Sequence, residues 1–133
     1  MNVTLDTNVF VSGLFFNGAP SRILKAWRSQ QFTLFATTVI LDEYDRVIRE
    51  LSQKRPAFNS DKAIAFIRKN VRLVKPTALP HQICDDPEDD KFISCALTIK
   101  AIIVTGDKAL LRTAGYKLLV ILTPAQFERQ YLI

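Results

Sequence analysis

Hydrophobic positions along the chain switch between two spacings, every second residue in short runs and every third or fourth in longer ones, and the switches mark out its elements. Val3 and Leu5 belong to a short strand that stops at Asp6-Thr7-Asn8, three residues able to cap a helix, ahead of the apolar stretch 9–16. Ser21 is placed to cap a helix over 21–30, with Ile23, Leu24 and Trp27 on one side, and 32–35 reads as a second strand. Thr37 precedes a helix over 38–51, where Ile40, Tyr44, Val47, Ile48 and Leu51 recur at helical spacing. Ser60-Asp61 open a further helix to about residue 70, and 71–74 forms a third strand. After a proline-punctuated loop over 75–87 come a helix over 88–100, a strand over 101–105, a short helix over 107–111 and a last strand over 118–122. Pro124 sits in the first turn of a terminal helix. Strands alternating with helices predict a central, mainly parallel sheet covered on both faces, a three-layer α/β/α domain.

Composition narrows the setting. A chain of 133 residues, 48% hydrophobic and 23% charged, forms a single domain over 1–133, and no apolar run approaches the roughly 20 residues that a membrane helix needs. The first residues carry neither a basic segment nor an apolar one, so a cytoplasmic location and no membrane partner are expected. Cys84 and Cys95 form no close-spaced pair and His81 is the only histidine, which leaves the cysteines reduced and structural. The net charge is +5, yet five of the thirteen acids fall within 85–90, so the remaining surface is more basic still and favours polyanionic partners.

The acids carry the chemistry. Ligands of parallel sheets gather at the carboxyl ends of the strands, and Asp6 and Asp107 each follow a predicted strand directly. Either one can also serve simply as a helix N-cap. Glu43 has Val39, Ile40 and Val47 as helical neighbours and borders the predicted apolar stripe, whereas Asp42 and Asp45 each have an arginine four residues on, Arg46 and Arg49, as on a solvated face. Glu43 therefore either turns out to water or is neutralised by a cation. The run from Asp85 to Asp90 puts more negative charge at a helix start than the helix dipole accounts for. Asp89, with Phe92, Ile93 and Ala96 below it, is the preferred member, and Asp90 is its substitute. Hard oxygen donors without a Cys or His cluster select Mg²⁺ or Mn²⁺ over zinc. No Gly-rich phosphate loop is present.

Taken in order, Leu-Asp6-Thr-Asn-Val, Thr37 with Leu-Asp-Glu43-Tyr, Asp86-Pro-Glu-Asp89-Asp-Lys-Phe-Ile, Val-Thr105-Gly-Asp107-Lys-Ala-Leu-Leu and Ile121-Leu-Thr-Pro-Ala-Gln-Phe127 resemble the PIN domain family over roughly residues 2–127. The chain is most similar to the small stand-alone members regarded as toxins of toxin–antitoxin pairs, related to VapC-type toxins. The resemblance implies a Mg²⁺- or Mn²⁺-dependent ribonuclease with Asp6, Glu43, Asp89 and Asp107 as its catalytic and metal-binding acids and Asn8 and Thr105 as supporting polar residues. It also implies a homodimer and a cognate antitoxin that covers the acidic pocket. The family's spacing between its third and fourth acids favours Asp89 over Asp90, and Asp86 matches an additional acid of the subgroup.

The expected activity is hydrolysis of RNA phosphodiesters, with Arg22, Lys25, Lys91 and Lys108 around the rim to hold the backbone. Two other readings remain open. One is a non-catalytic nucleic-acid-binding module. The other, an aspartyl-phosphate phosphatase or receiver-type domain, is less favoured, because position 8 is Asn where such a phosphatase wants a second Asp.

Overall fold

A computed structural model describes residues 1–132. Strand β1 (Asn2–Leu5) feeds α1 (Thr7–Phe15) and α2 (Ala19–Arg28), followed by β2 (Thr33–Ala36), α3 (Thr38–Ser52), α4 (Ser60–Asn70) and β3 (Arg72–Leu73). A loop and a 3-10 turn (Pro87–Asp89) lead to α5 (Asp90–Ile99) and β4 (Ile102–Val104). The chain ends with α6 (Lys108–Leu111), a second 3-10 turn (Tyr116–Leu118), β5 (Ile121–Leu122) and α7 (Pro124–Tyr131).

The strands are all parallel and lie in the order β3-β2-β1-β4-β5. From β1 the chain builds outward to β3, then returns to the other side of β1 for β4 and β5. Crossovers run in opposite directions from β1, and the right-handed rule for parallel connections puts α1–α4 on one face and α5 and α6 on the other, the three-layer arrangement the pattern predicts. Helix α5 lies against β1, β2 and β4, and α7 closes onto α2 and β5. Strand order reverses between β1 and β4, so a crevice opens where both strands end.

Val3, Leu5, Leu34, Ile103 and Val104 are fully buried at the centre of the sheet. Phe10, also fully buried, stacks on Tyr44 at 4.4 Å and meets Trp27 edge-on at 6.0 Å, tying α1 to α2 and α3. Burial of one such ring is worth roughly 1.5–3 kcal/mol. The Tyr44 hydroxyl donates to the Leu5 carbonyl, fixing α3 to the end of β1 next to Asp6.

Several boundaries differ from the sequence reading. Helix α2 begins two residues before Ser21: Gly18 takes φ 125, a conformation that favours glycine, and Pro20 fits the first turn, where its missing N–H costs nothing. Asn59, not Ser60, caps α4, accepting the Lys62 N–H at 3.0 Å. The acidic run begins with a 3-10 turn, so α5 starts at Asp90 rather than at Glu88. The last strand shrinks to Ile121–Leu122 because Lys117 and Leu118 adopt positive φ, leaving Leu118 91% exposed. The third strand shrinks to Arg72–Leu73, since Val71 closes α4.

Candidate metal centre at the carboxyl rim of the sheet

Asp6 ends β1, with its N–H on the Val104 carbonyl at 3.0 Å, and begins α1, with its own carbonyl accepting the Phe10 N–H at 3.0 Å. Its side chain makes no capping hydrogen bond to α1. The carboxylate instead accepts the Thr105 hydroxyl at 2.6 Å on Oδ2. Thr105, fully buried just beyond β4, accepts the Asp107 N–H at 3.0 Å in turn. One hydroxyl thus links the acids that follow β1 and β4. Asp107 does cap a helix: Oδ1 accepts the Ala109 N–H at 2.8 Å and the Leu110 N–H at 3.4 Å, while Oδ2 accepts nothing from the described residues.

Glu43 reaches the same crevice from α3, which Thr37 caps by accepting the Ile40 N–H at 3.3 Å. Its environment differs from expectation. Val39 is 61% exposed, so the stripe beside Glu43 is Ile40 and half-buried Val47, and the carboxylate has a cationic partner contributed by α5. Lys91 Nζ donates to Oε1 at 2.7 Å, and the Thr7 hydroxyl donates to Oε2. Asp42 is outward as read, but Asp45 is not: only 19% of its side chain is exposed, and its Oδ1 is buried without a hydrogen-bond partner among the described residues. Both acids pair with Arg68 of α4, while Arg46 pairs with Glu50 and Arg49 with Asp61.

The acidic run divides by task. Asp90 turns back to the preceding loop, where its two oxygens accept the Ile83 N–H at 3.1 Å and the Cys84 N–H at 2.7 Å. Asp86 caps the 3-10 turn through the Glu88 N–H at 3.0 Å, and exposed Asp85 pairs with Arg112 at 3.0 Å. Asp89, half-buried, accepts no hydrogen bond from the described residues and faces Asp6 and Asp107 closely enough to feel their charge. Cys84 and Cys95 are buried free thiols, and His81 is exposed in the loop.

The cations are less uniform than a rim of free charges. Arg22 is bound by Glu128 of α7, with Nη2 to Oε1 at 3.0 Å. Lys91 points inward, only 12% exposed, and also donates to the Glu88 carbonyl at 2.8 Å. Lys25 and Lys108 are exposed, and Asn8 is exposed at the start of α1.

Comparison with known proteins identifies the architecture. A family model described as the PIN domain matches residues 2–109. The chain belongs to the PIN domain family. It is 30% identical to the uncharacterised protein MJ1680 of Methanocaldococcus jannaschii over 114 residues, 84% of this chain and 74% of that protein. Among solved structures it is similar to VapBC2 from Rickettsia felis, crystallised bound to a DNA fragment from its promoter, with a TM-score of 0.62 at 15% identity over 92% of this chain and 98% of that one. At that identity the likeness is one of fold.

Electrostatics in this PIN domain follow from its crowding of acids. Burial raises the Asp6 pKa above its ordinary value; the charges of Asp107 and Glu43 add to the effect, while the Thr105 hydroxyl and the nearby Asn8 N–H oppose it. Asp89 is pushed up to about 6, first by burial, then by the charges of Asp6, Asp107 and Asp86, with Lys91 opposing. A divalent cation relieves both effects, and the donors are hard oxygens of the kind Mg²⁺ and Mn²⁺ take. In kind the residues fit such an ion. As arranged, no three acid, His or Cys side chains among the described residues stand within reach of one ion. Beside Asp6 and Asp107 opens a cleft of about 400 Å³, walled by Val9, Pro20 and Pro124 and fringed by Asn8 and Ser12. No helix of the described residues is long and apolar enough to cross a membrane.

Proposed function

We propose that this PIN domain is an endoribonuclease that uses Mg²⁺ or Mn²⁺ to hydrolyse RNA phosphodiesters, acting as the toxin of a toxin–antitoxin pair. What supports the proposal is that Asp6, Glu43, Asp89 and Asp107 come from four separate segments near the crevice where the sheet reverses its strand order, close enough that Asp6 feels the charges of Asp107 and Glu43, and Asp89 those of Asp6 and Asp107. These four hold the ion, directly or through water. When bound, the ion supplies Lewis acidity at the phosphoryl oxygen and makes water a nucleophile at neutral pH.

The protein's own groups set the geometry. Thr105 fixes Asp6 and Asp107 relative to each other, and Lys91 holds Glu43. Asn8 lies on the cleft side, where it can donate to a phosphate or ribose oxygen, while Lys25 and Lys108 give salt-sensitive attraction to the backbone. Arg22 joins them only by leaving Glu128. Cleavage leaves a 5′-phosphate and a 3′-hydroxyl. The choice of RNA, a cognate antitoxin over the pocket and a homodimer rest on the sequence resemblance to stand-alone toxins of the family.

Incubation of the purified chain with a mixed RNA pool, in Mn²⁺ and in EDTA, followed by end-mapping, tests this reading. Cleavage in Mn²⁺ that is abolished by EDTA and by Asp6→Asn is the expected result. RNA binding with no cleavage under any condition would mark a non-catalytic module instead.

A further inference from the structure

The four acids differ in what already holds them. Glu43 has both oxygens engaged, by Lys91 Nζ at 2.7 Å and by the Thr7 hydroxyl. Lys91 is itself fixed: it donates to the Glu88 carbonyl at 2.8 Å, lies 5.3 Å from the centre of the Phe92 ring and is only 12% exposed. A lysine head drawn this far from water has a large desolvation cost, which the paired carboxylate offsets. Across the crevice the oxygens are open. Asp89 accepts no hydrogen bond from the described residues, Asp6 has the Thr105 hydroxyl on Oδ2 and the Asn8 N–H close by, and Asp107 has only Oδ1 occupied. One side of the site thus offers free donors, and the other already holds a positive charge.

We infer that Lys91 stands in place of a second divalent ion, so that the chain takes up one Mg²⁺ or Mn²⁺ on the side of Asp6, Asp89 and Asp107 while the ammonium neutralises Glu43. The inference rests on the metal-hydrolase reading above and deepens it. Two-ion hydrolases place their cations about 3.5–4 Å apart and clamp the substrate phosphate between them. Here the position beside Glu43 is taken by a group that carries one charge, brings its own three donors and is already desolvated in the folded chain. Lys91 is accordingly a positioning residue: it holds Glu43 at a fixed distance from the ion and leaves it to act through water.

Manganese uptake at equilibrium, measured by dialysis and elemental analysis on the full chain, decides the matter without reference to activity. Wild type and Lys91→Arg are expected to hold one Mn²⁺ per chain. Lys91→Met, similar in length but uncharged, is expected to hold two. Two ions in wild type, or one in a folded Lys91→Met, would overturn the inference and leave the metal-hydrolase reading intact. No ion in wild type would overturn both. If Lys91→Met does not fold, Glu43→Gln and Asp89→Asn carry the test. The first should weaken uptake by about tenfold, as loss of an outer partner does, and the second should abolish it. Abolition by both would make Glu43 a direct ligand and overturn the inference.

Discussion

Replacing Asp89 by asparagine should stabilise the folded chain at neutral pH, although it removes a residue at the heart of the candidate site. The Asp89 carboxyl is held at about 6 in the folded protein against an ordinary 3.8. A raised carboxyl pKa means that the folded state binds its proton more tightly than the unfolded state, so stability falls as pH rises from about 4 to 6, and the full penalty stands above pH 6. At about 1.4 kcal/mol per pH unit the difference corresponds to roughly 3 kcal/mol. Asp89 keeps much of its surface in water, which screens the charge and reduces the penalty to about 1–1.5 kcal/mol. Asparagine keeps the shape and removes the charge. Urea unfolding in EDTA should therefore find Asp89→Asn more stable than wild type by about 1 kcal/mol at pH 7.5, with the two converging near pH 4. In saturating Mn²⁺ the order should reverse, because an ion at 100 times its Kd adds about 2.7 kcal/mol to wild type alone. A variant less stable than wild type at pH 7.5 in EDTA, or a difference that does not shrink toward pH 4, would refute the electrostatic account of the site.

Thr105→Val, which keeps the volume but removes the hydroxyl shared by Asp6 and the Asp107 N–H, should cost about 1.5–3 kcal/mol in chemical denaturation, with Thr105→Ser recovering most of it. Equal losses in Val and Ser would point to packing rather than the hydrogen bond. Gly13→Ala should also destabilise, by about 1–3 kcal/mol, because its Cβ would stand 2.7 Å from the Pro20 carbonyl oxygen and 2.8 Å from the Leu24 side chain, forcing α2 away from α1. A gain of the 0.5–1 kcal/mol that alanine brings to an unhindered helix position would contradict that close approach.

What could be read from the sequence was local. Strand ends, helix spacing and the caps at Thr37 and Asp107 follow from residues close together in the chain, and they sufficed to bring Asp6 and Asp107 to one rim of a parallel sheet. Partnerships across the fold were not readable in this way. Arg46 and Arg49 stand four residues after Asp42 and Asp45, yet Arg68 from the neighbouring helix takes both acids. Lys91 looks like a rim lysine from its place in a charged run, and only the meeting of α3 with α5 turns it onto Glu43. The choice between Asp89 and Asp90 depends on a loop: Ile83 and Cys84 offer N–H groups that engage Asp90 and leave Asp89 free to face the other acids. Helical periodicity gave Asp89 a preference but no more, since Asp90 has Ile93 and Leu97 at the same kind of spacing.

On the reading proposed above, carboxylates from distant segments gather a single divalent ion. Anomalous scattering from crystals soaked in Mn²⁺ tests it most directly. One manganese peak among Asp6, Asp89 and Asp107, with Glu43 still on Lys91 and no nearer the ion than one water, is the expected result. A crevice without manganese, in crystals that diffract well enough to show these four side chains, would contradict it.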